Sequence, residues 1–254
     1  MIPSLFLAHG SPMLAIEETE YTRFLASLGN KIKPKVIVLF TAHWEKDTLT
    51  ISSTDDIYET IYDFYGFPDE LYEVKYPARG SKKLADKLKM KFEQEGIPAE
   101  LDSTRGLDHG SWTLLYKMYP KADIPVVQIS VSPFLSPEKQ YQIGKVLKDL
   151  GSEDILVIGS GVTVHNLRII NWSATEPEQW AIDFDDWLID KIQKRDLAHL
   201  YNYEKLAPNA SLAVPRPEHF VPLFIAMGSG QTDEPQVIHR SYDLGTLSYL
   251  CFQF

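Results

Sequence analysis

The sequence predicts an α/β fold in which a largely parallel central sheet is flanked by helices. Five short apolar runs rich in Val and Ile are typical of strands that are buried on both faces. Amphipathic stretches of helical period lie between several of these runs. No repeat, low-complexity tract or linker interrupts the 254 residues, so a single catalytic domain over residues 1–254 is the simplest organisation.

The predicted strands follow from apolar runs that end at glycine, proline or polar residues. Five central strands are predicted at Ser4–Ala8, Val36–Thr41, Ile124–Val131, Ile155–Gly159 and Leu247–Phe254. Two shorter strands are predicted nearer the edges of the sheet, at Leu49–Ser52 and Val237–His239.

Four helices are predicted from their period and their end signals. Ser81 is a candidate N-cap for a helix that runs to about Glu95, where Gly96 provides the stop. The other three are predicted from Pro137 to Leu150, from Glu178 to Lys194 and from Pro217 to Gly228.

Composition excludes several classes of partner. The net charge is −10 and no Lys/Arg cluster stands out, which argues against nucleic acid as a partner.

The single cysteine, Cys251, rules out an internal disulfide and fits a reducing compartment. Its apolar neighbours predict a core position. No apolar stretch approaches the roughly 20 residues of a membrane helix. Residues 2–7 are too short for a signal peptide and lack preceding basic residues, so we expect a cytoplasmic protein with no membrane partner.

The histidines are unevenly placed, and three of them follow predicted strands. His9 ends the first strand, His43 ends the second, and His165 comes after Ile155–Gly159 and a glycine-bearing turn. Because the carboxyl ends of parallel strands meet at one edge of a sheet, where ligands bind, we expect these three imidazoles to emerge together. One strand-end histidine by itself is more often a structural residue, but three in the same topological place favour a site.

Two further histidines are candidates for the same edge. His109 lies in a predicted loop between two glycines, and His219 lies at the start of the predicted helix that opens at Pro217. Imidazole is a common ligand of divalent metals, and three ligands with open positions suit a catalytic metal. His199 and His239 have no comparable setting and are predicted to be structural or surface residues.

Other catalytic sites have weaker support. The segment Gly159-Ser160-Gly161 lacks the G-x-S-x-G spacing of a nucleophilic serine. No phosphate-binding glycine motif is present, and Cys251 has no polar neighbour in sequence that would activate it.

Seven segments form a specific combination, although each is weak by itself. They are FLAHGSPM (6–13), TAHWE (41–45), YDFYGFPDELYEVKYPARG (62–80), GLDHGSWTLLYKMYP (106–120), IPVVQISV (124–131), GSGVTVHNLR (159–168) and PRPEHFVPL (215–223). Together they resemble the DOPA-dioxygenase-type branch of the extradiol aromatic ring-opening dioxygenases, the class III or LigB-like group.

The resemblance implies an α/β fold, one mononuclear metal site and O₂-dependent cleavage of a catechol ring next to its two hydroxyls. The family's metal-binding positions fall on His9, His43 and His219. His165 matches a position described either as a fourth ligand or as an acid/base residue beside the metal. His109 matches a second-sphere histidine near the substrate.

Departures from the family pattern, and neighbours of the histidines, leave several roles open. Many relatives have proline where this chain has Arg79, which is either exposed or meets an anionic group of the substrate. Glu218 adjoins His219, and because neighbours on a helix point about 100° apart, only one should reach the metal. The resemblance favours His219, which leaves Glu218 beside the ligand or at the helix start.

The substrate-binding candidates are Tyr65, Phe67, Ser11 and Asp108. Tyr65 and Phe67 belong to an aromatic segment, 62–67, that either walls the substrate ring or packs in the core. Asp108 either orients the neighbouring His109 or fixes its loop.

The expected cofactor is one divalent metal per chain, and the expected partners are O₂ and a small aromatic diol. Fe(II) is expected because ring cleavage needs redox chemistry with O₂, and His165 or His109 could accept the hydroxyl proton. Zn(II) would bind the same ligands without that chemistry and is plausible in a purified sample. Two hypotheses stay open beside the dioxygenase: a zinc-dependent hydrolase, and a Memo-like non-enzymatic or redox metal-binding protein.

Overall fold

An eight-stranded mixed sheet forms the centre of the computed structural model, which describes residues 1–254. A separate pair of two-residue strands, β8 and β9, lies near the C-terminus. In chain order the strands are β1 Ser4–Ala8, β2 Val36–Glu45, β3 Leu49–Ser52, β4 Ala99–Asp102, β5 Val126–Val131, β6 Ile155–Gly161, β7 Gln236–His239, β8 Tyr242–Asp243, β9 Leu247–Ser248 and β10 Cys251–Gln253.

The order of strands in the sheet is β4-β3-β5-β2-β6-β1-β10-β7. The four central strands, β5, β2, β6 and β1, are parallel, as the apolar runs predict. The flanks differ: β3 is antiparallel to β5, and β10 is antiparallel to both β1 and β7. The chain between β7 and β10 is too short to hold the crossover of a dozen or more residues that a parallel pair requires.

One predicted strand is divided, one observed strand was not predicted, and the strand predicted to end at Thr41 continues to Glu45. The run Leu247–Phe254 is divided into β9 and β10, because the Ser248 hydroxyl accepts the backbone N–H of Leu250 and β9 pairs with β8 instead of the central sheet. The strand Ala99–Asp102 was not predicted, since its central residues are exposed and its sequence, AELD, carries no apolar run.

Ten α-helices surround the sheet. They are α1 Glu20–Lys31, α2 Asp69–Glu73, α3 Lys82–Gln94, α4 His109–Met118, α5 Pro137–Lys145, α6 Gln179–Gln193, α7 Leu197–Tyr201, α8 Tyr203–Leu206, α9 Ala210–Ala213 and α10 Val221–Ser229. Short 3₁₀ turns occur at Pro12–Ala15, Leu150–Glu153 and Pro217–His219. None of these helices is both long and apolar enough to cross a membrane.

The predicted helices α3 and α6 are confirmed, and Ser81 caps α3 by accepting the backbone N–H of Leu84. The helix predicted from Pro137 ends early, at Lys145. The helix predicted from Pro217 is broken into a 3₁₀ turn and α10. Pro222 has no N–H, so the helical bond back to the carbonyl of Glu218 cannot form.

Helices α1 and α4 were not predicted. Thr19 and Thr22 form a reciprocal capping box that starts α1. The prediction that His109 lies in a loop is wrong, because His109 is the first residue of α4. Its two flanking glycines suggested a flexible segment, but Asp108 is extended and the helix follows it directly.

Alternate residues of the central strands pack on opposite faces of the sheet. Leu39 of β2 joins a core cluster with α1 and α4, whereas Phe40 joins a second cluster with α3, α5 and α10. A third cluster packs α6 and α10 around Phe6 and Phe252. Cys251 is fully buried, in line with its predicted core position. Burial on both faces leaves only the strand ends open to ligands.

Candidate metal centre

The carboxyl ends of β1, β2 and β6 meet at one edge of the sheet. Ala8 of β1 is paired with Gly161 of β6, and Thr41 of β2 with Ser160. His9 comes directly after β1, and His43 lies within β2, which continues to Glu45. The parallel register therefore brings these two imidazoles together from positions far apart in sequence.

The 3₁₀ turn Pro217–His219 brings a third histidine to the same edge. The carbonyl of His219 accepts the N–H of Val162 at 2.8 Å, immediately after β6. This approach requires a glycine at position 161, since a Cβ there would lie 2.1 Å from that carbonyl oxygen. The turn is therefore packed onto the end of β6, with His219 beside His9 and His43.

The Nε2 atoms of three histidines converge. The distance from His43 Nε2 to His9 Nε2 is 3.0 Å, and that to His219 Nε2 is 3.3 Å. The candidate ligand atoms of the three residues lie within 4.8 Å of one another. His9 is fully buried and His219 nearly so. Three imidazole nitrogens facing one point suit a borderline divalent cation, which would remove the repulsion between their lone pairs.

The second nitrogen of each ring has its own partner. His9 Nδ1 lies 2.9 Å from the Ser160 hydroxyl oxygen, His43 Nδ1 lies 3.2 Å from Asp63, and His219 Nδ1 lies 3.0 Å from Glu218. Ser160 donates its own proton to the carbonyl of Gly110 and so accepts from His9. Metal-binding histidines usually donate the other ring N–H to such an acceptor, which fixes the ring and leaves Nε2 free to bind. The residues present therefore fit a mononuclear metal.

His109 lies beside these three rings without joining their convergence point. Its ring centroid is 3.9 Å from that of His43 and 5.6 Å from that of His9. Its Nδ1 bonds to Asp63 at 2.9 Å, and Phe64 packs edge-on against it. The start of α4 approaches β2 this closely because position 110 is glycine; a Cβ there would be 2.9 Å from the His43 ring.

His165 also neighbours the three rings, in a different orientation. Its ring is stacked on that of His219, with centroids 3.7 Å apart and planes 13° apart. The rings of His9, His43 and His219 are instead inclined to one another by 46–88°. The backbone N–H of His165 is held by the carbonyl of Ala213 at 2.9 Å.

Burial and mutual repulsion lower the pKa of four histidines of the centre, His9, His109, His165 and His219. Burial, then the neighbouring His43, lower the pKa of His9 well below its usual value, and burial, then His165, do the same for His219. Burial, then His43 and His109, lower the pKa of His165 to about 4. Burial lowers the pKa of His109 as well, against the opposing effect of Asp63.

The pKa values of the two carboxylates beside the rings are shifted in opposite directions. Burial alone would raise the pKa of Asp63, but hydrogen bonds from His109 and His43 outweigh it and hold that pKa well below its usual range. Burial raises the pKa of Glu218, only partly offset by a backbone hydrogen bond and the Arg216 guanidinium. The centre therefore combines four imidazoles of lowered pKa with one carboxylate of lowered pKa, an environment that favours a cation.

The predicted substrate-binding residues occupy different environments. Tyr65 is 92% exposed, whereas Phe67 is half-buried against Phe64. The Ser11 hydroxyl accepts the N–H of Met13 and is half-buried. Of the aromatic segment 62–67, Phe64 is the member that packs against His109.

Asp108 fixes the start of α4 rather than orienting His109. Its carboxylate is fully buried and accepts from the Thr41 hydroxyl at 2.7 Å and from Arg105 at 2.9 Å. The partner of His109 Nδ1 is Asp63 instead.

Of its two alternatives Arg79 takes the exposed one, and His199 and His239 belong to none of the groups that could hold a metal. Arg79 is exposed and donates to the carbonyl of Asp55. His199 is exposed and paired with Asp196, and His239 lies on edge strand β7.

Sequence reasoning missed two residues that contact the ring nitrogens. Ser160 was considered only as a nucleophile and rejected, and Asp63 was given no role. The available signal was chemical type: an acid among the aromatic residues of 62–67, and a serine between two glycines at a strand end. Neither signal states which imidazole the side chain meets.

The chain is similar to several known proteins. A family described as the catalytic LigB subunit of aromatic ring-opening dioxygenase matches residues 3–251. The chain is 41% identical over 257 residues to a "4,5-DOPA dioxygenase extradiol" of Beta vulgaris, with 99% of this chain and 96% of the relative covered. It is 36% identical over 262 residues to a protein of the same name from Escherichia coli K12, with 99% and 94% covered.

A solved structure supports the fold as well. The crystal structure of an uncharacterized protein from Escherichia coli K12 superposes with a TM-score of 0.85 at 33% identity, covering 100% of both chains.

Proposed function

This chain belongs to the LigB family of aromatic ring-opening dioxygenases, and from that premise we propose that it opens the ring of a small DOPA-like catechol with O₂ to give a muconic semialdehyde-type product. Family membership makes it an extradiol ring-cleaving dioxygenase, against the hydrolase and non-enzymatic hypotheses. The DOPA-like substrate and the product are the parts proposed here. The names of the relatives from Beta vulgaris, Mirabilis jalapa and Portulaca grandiflora support them.

The observation that carries the proposal is the convergence of three Nε2 atoms whose rings are each held through Nδ1. We propose that His9, His43 and His219 hold one divalent metal, Fe(II), at this point. Fe(II) supplies the electron transfer that lets O₂ react with the ring, and as a Lewis acid it favours the ionised catechol. Three protein ligands leave positions open for substrate and O₂.

The chain's own residues would handle the protons. His109 donates its Nδ1 proton to Asp63, so its Nε2 is the atom that can accept a proton from a catechol hydroxyl. We assign His165 as a second acid/base residue and not as a fourth ligand. Its ring lies parallel to that of His219, whereas the three proposed ligand rings approach their common point from inclined directions.

Aromatic side chains would exclude water and support the substrate ring. Phe64 packs edge-on against His109 and contacts Phe67 and Trp112. An apolar wall next to a proton-accepting imidazole suits a flat aromatic diol. We further propose that residues 1–254 act as one catalytic domain, because the central sheet includes strands from both ends of the chain.

The test is reconstitution. Protein loaded anaerobically with Fe(II) should consume O₂ and form a yellow product when given DOPA or a related catechol, whereas the zinc-loaded form should do neither. Absence of O₂ uptake and of colour with several catechols, in protein shown to contain iron, would contradict the proposed activity.

A further inference from the structure

Asp63 contacts two histidines of the centre at once. Its Oδ1 accepts the Nδ1 proton of His109 at 2.9 Å and the backbone N–H of the same residue at 3.0 Å. Its Oδ2 lies 3.2 Å from Nδ1 of His43. One carboxylate therefore serves a histidine of the converging group and the histidine beside it.

The position of Asp63 is set from outside the centre. The residues just before it are tied to the segment that precedes α4, through a bridge between Thr60 and Leu107 and a bond from Ile61 N to Leu107 O at 2.8 Å. Trp112 of α4 donates its indole N–H to the carbonyl of Ile61 at 2.9 Å. These backbone contacts hold the carboxylate in place without needing the two imidazoles.

We propose that Asp63 is a positioning residue that orients His43 and His109 together by accepting the Nδ1 proton of each ring. The proposal rests on the proposed function, because it treats His43 as a metal ligand. An ionised carboxylate can only accept hydrogen bonds, so both imidazoles must carry their proton on Nδ1. Each ring then keeps Nε2 as its unprotonated atom, in His43 toward the other two ligands and in His109 as the proton acceptor.

The other ring partners serve one histidine each. Ser160 holds His9, and Glu218 holds His219. Asp63 is the one acceptor that links a metal-holding ring to a proton-handling ring. Its removal should therefore disturb two functions, whereas the loss of Glu218 should disturb one.

The substitution Asp63→Asn should keep the contact to His109 and disrupt the contact to His43, with almost no change in the shape of the side chain. The amide has one accepting oxygen and one donating NH₂ group. The oxygen is expected to stay with His109, because two donors of that residue, Nδ1 and the backbone N–H, both need it. The NH₂ group then faces His43 Nδ1, where two donors oppose each other. His43 must move its proton to Nε2 or rotate away, and either response weakens its bond to the metal.

The first measurement is zinc affinity, by competition with a chromophoric chelator, with Zn(II) as a redox-inert probe. Asp63→Asn should bind zinc about 10–100-fold more weakly than the wild type, the usual effect of losing a partner that orients a ligand. The matched control is Asp56→Asn, the same change at an exposed carboxylate of the same segment, and it should leave the affinity unchanged. Affinity of Asp63→Asn within about threefold of the wild type would overturn the proposal.

The second measurement needs no variant. Long-range ¹H–¹⁵N correlation spectra of the zinc-loaded wild type report which nitrogen of each histidine carries the proton. His109 is not a proposed ligand, so the metal does not impose its tautomer, and the proposal requires a proton on Nδ1. An Nε2–H tautomer at His109 would overturn the role of Asp63.

The two proposals fail in different ways. If the proposed metal site is wrong, His219→Ala will bind zinc as tightly as the wild type. If only the role of Asp63 is wrong, His219→Ala will lose zinc while Asp63→Asn keeps it.

Discussion

Three overlapping groups of side chains could hold a metal at this edge of the sheet, and one of them is His165, Glu218 and His219. The other two share His43. One comprises His9, His43 and His219, and the other His43, Asp63 and His109. Replacing His219 or His109 by alanine, one at a time, decides between them. We expect His219→Ala to lose the metal and His109→Ala to keep it, because His219 Nε2 lies 3.3 Å from His43 Nε2 whereas His109 directs Nδ1 to Asp63.

The expected magnitude follows from linkage between metal binding and unfolding. At a free zinc concentration of about 100 times the wild-type Kd, binding stabilises the folded state by about 2.7 kcal/mol. For a chain of about 250 residues this raises Tm by roughly 5–11 °C. Loss of a partner that orients a ligand weakens metal affinity about 10–100-fold, so loss of a ligand should cost at least 100-fold. At the same zinc concentration His219→Ala then gains about 0.4 kcal/mol or less, a Tm shift below about 2 °C.

The assay is thermal unfolding of each variant with and without zinc. The quantity compared is the Tm difference between the two forms of the same variant. This comparison cancels the stability that His219→Ala loses through its contact with His165, a ring only 3.7 Å away. Circular dichroism of the metal-free variants checks that each is folded.

Two outcomes would refute the reasoning. A zinc shift in His219→Ala equal to that of the wild type would show that the converging nitrogens do not hold the metal. Loss of the shift in His109→Ala, with the shift retained in His219→Ala, would assign the metal to the group that contains Asp63.

Three further predictions concern single residues. Ser160→Ala removes the acceptor of His9 Nδ1 and should weaken zinc binding about 10–100-fold in a chelator competition; unchanged affinity would mean that Ser160 does not orient the ring. Burial raises the pKa of Cys251 to about 12. At pH 8 the thiolate fraction of the folded protein, and its rate of reaction with an aromatic disulfide reagent, should therefore be about 1,000-fold below those of the urea-unfolded chain. Rapid labelling of the folded protein at pH 8 would contradict this. Asp185→Ala leaves the hydroxyls of Thr163, Tyr242 and Ser248 without their acceptor, and urea unfolding should show a loss of roughly 3 kcal/mol or more; a loss below about 1 kcal/mol would mean that the hydroxyls find other partners.

The apolar runs by themselves determined the centre of the fold. Continuous runs such as Val36–Thr41 can be buried on both faces only in a covered sheet, so strand identity and parallel direction followed from composition and spacing. Because parallel strands end at the same edge, the sequence also predicted that His9 and His43 would come together.

The helices at the site were harder to predict from the sequence than the strands. The residues at the start of α4, His109-Gly110-Ser111, indicated a loop because glycine disfavours helix. The tertiary contact decides otherwise: the helix start packs against β2 so closely that only glycine fits at position 110. Similarly, Pro222 prevents a helical bond to Glu218, and the resulting break turns His219 toward the strand ends.

The ring partners Asp63 and Ser160 were decided by tertiary structure alone. Asp63 lies 20 positions after His43 and 46 before His109, and Ser160 lies 151 positions after His9. No residue period encodes such contacts, because a ring N–H donates to any acceptor that folding brings within about 3 Å. The sequence therefore determined which side chains could bind a metal and at which edge of the sheet. Only the packing of the loops onto that edge decided which nitrogen of each imidazole faces the centre.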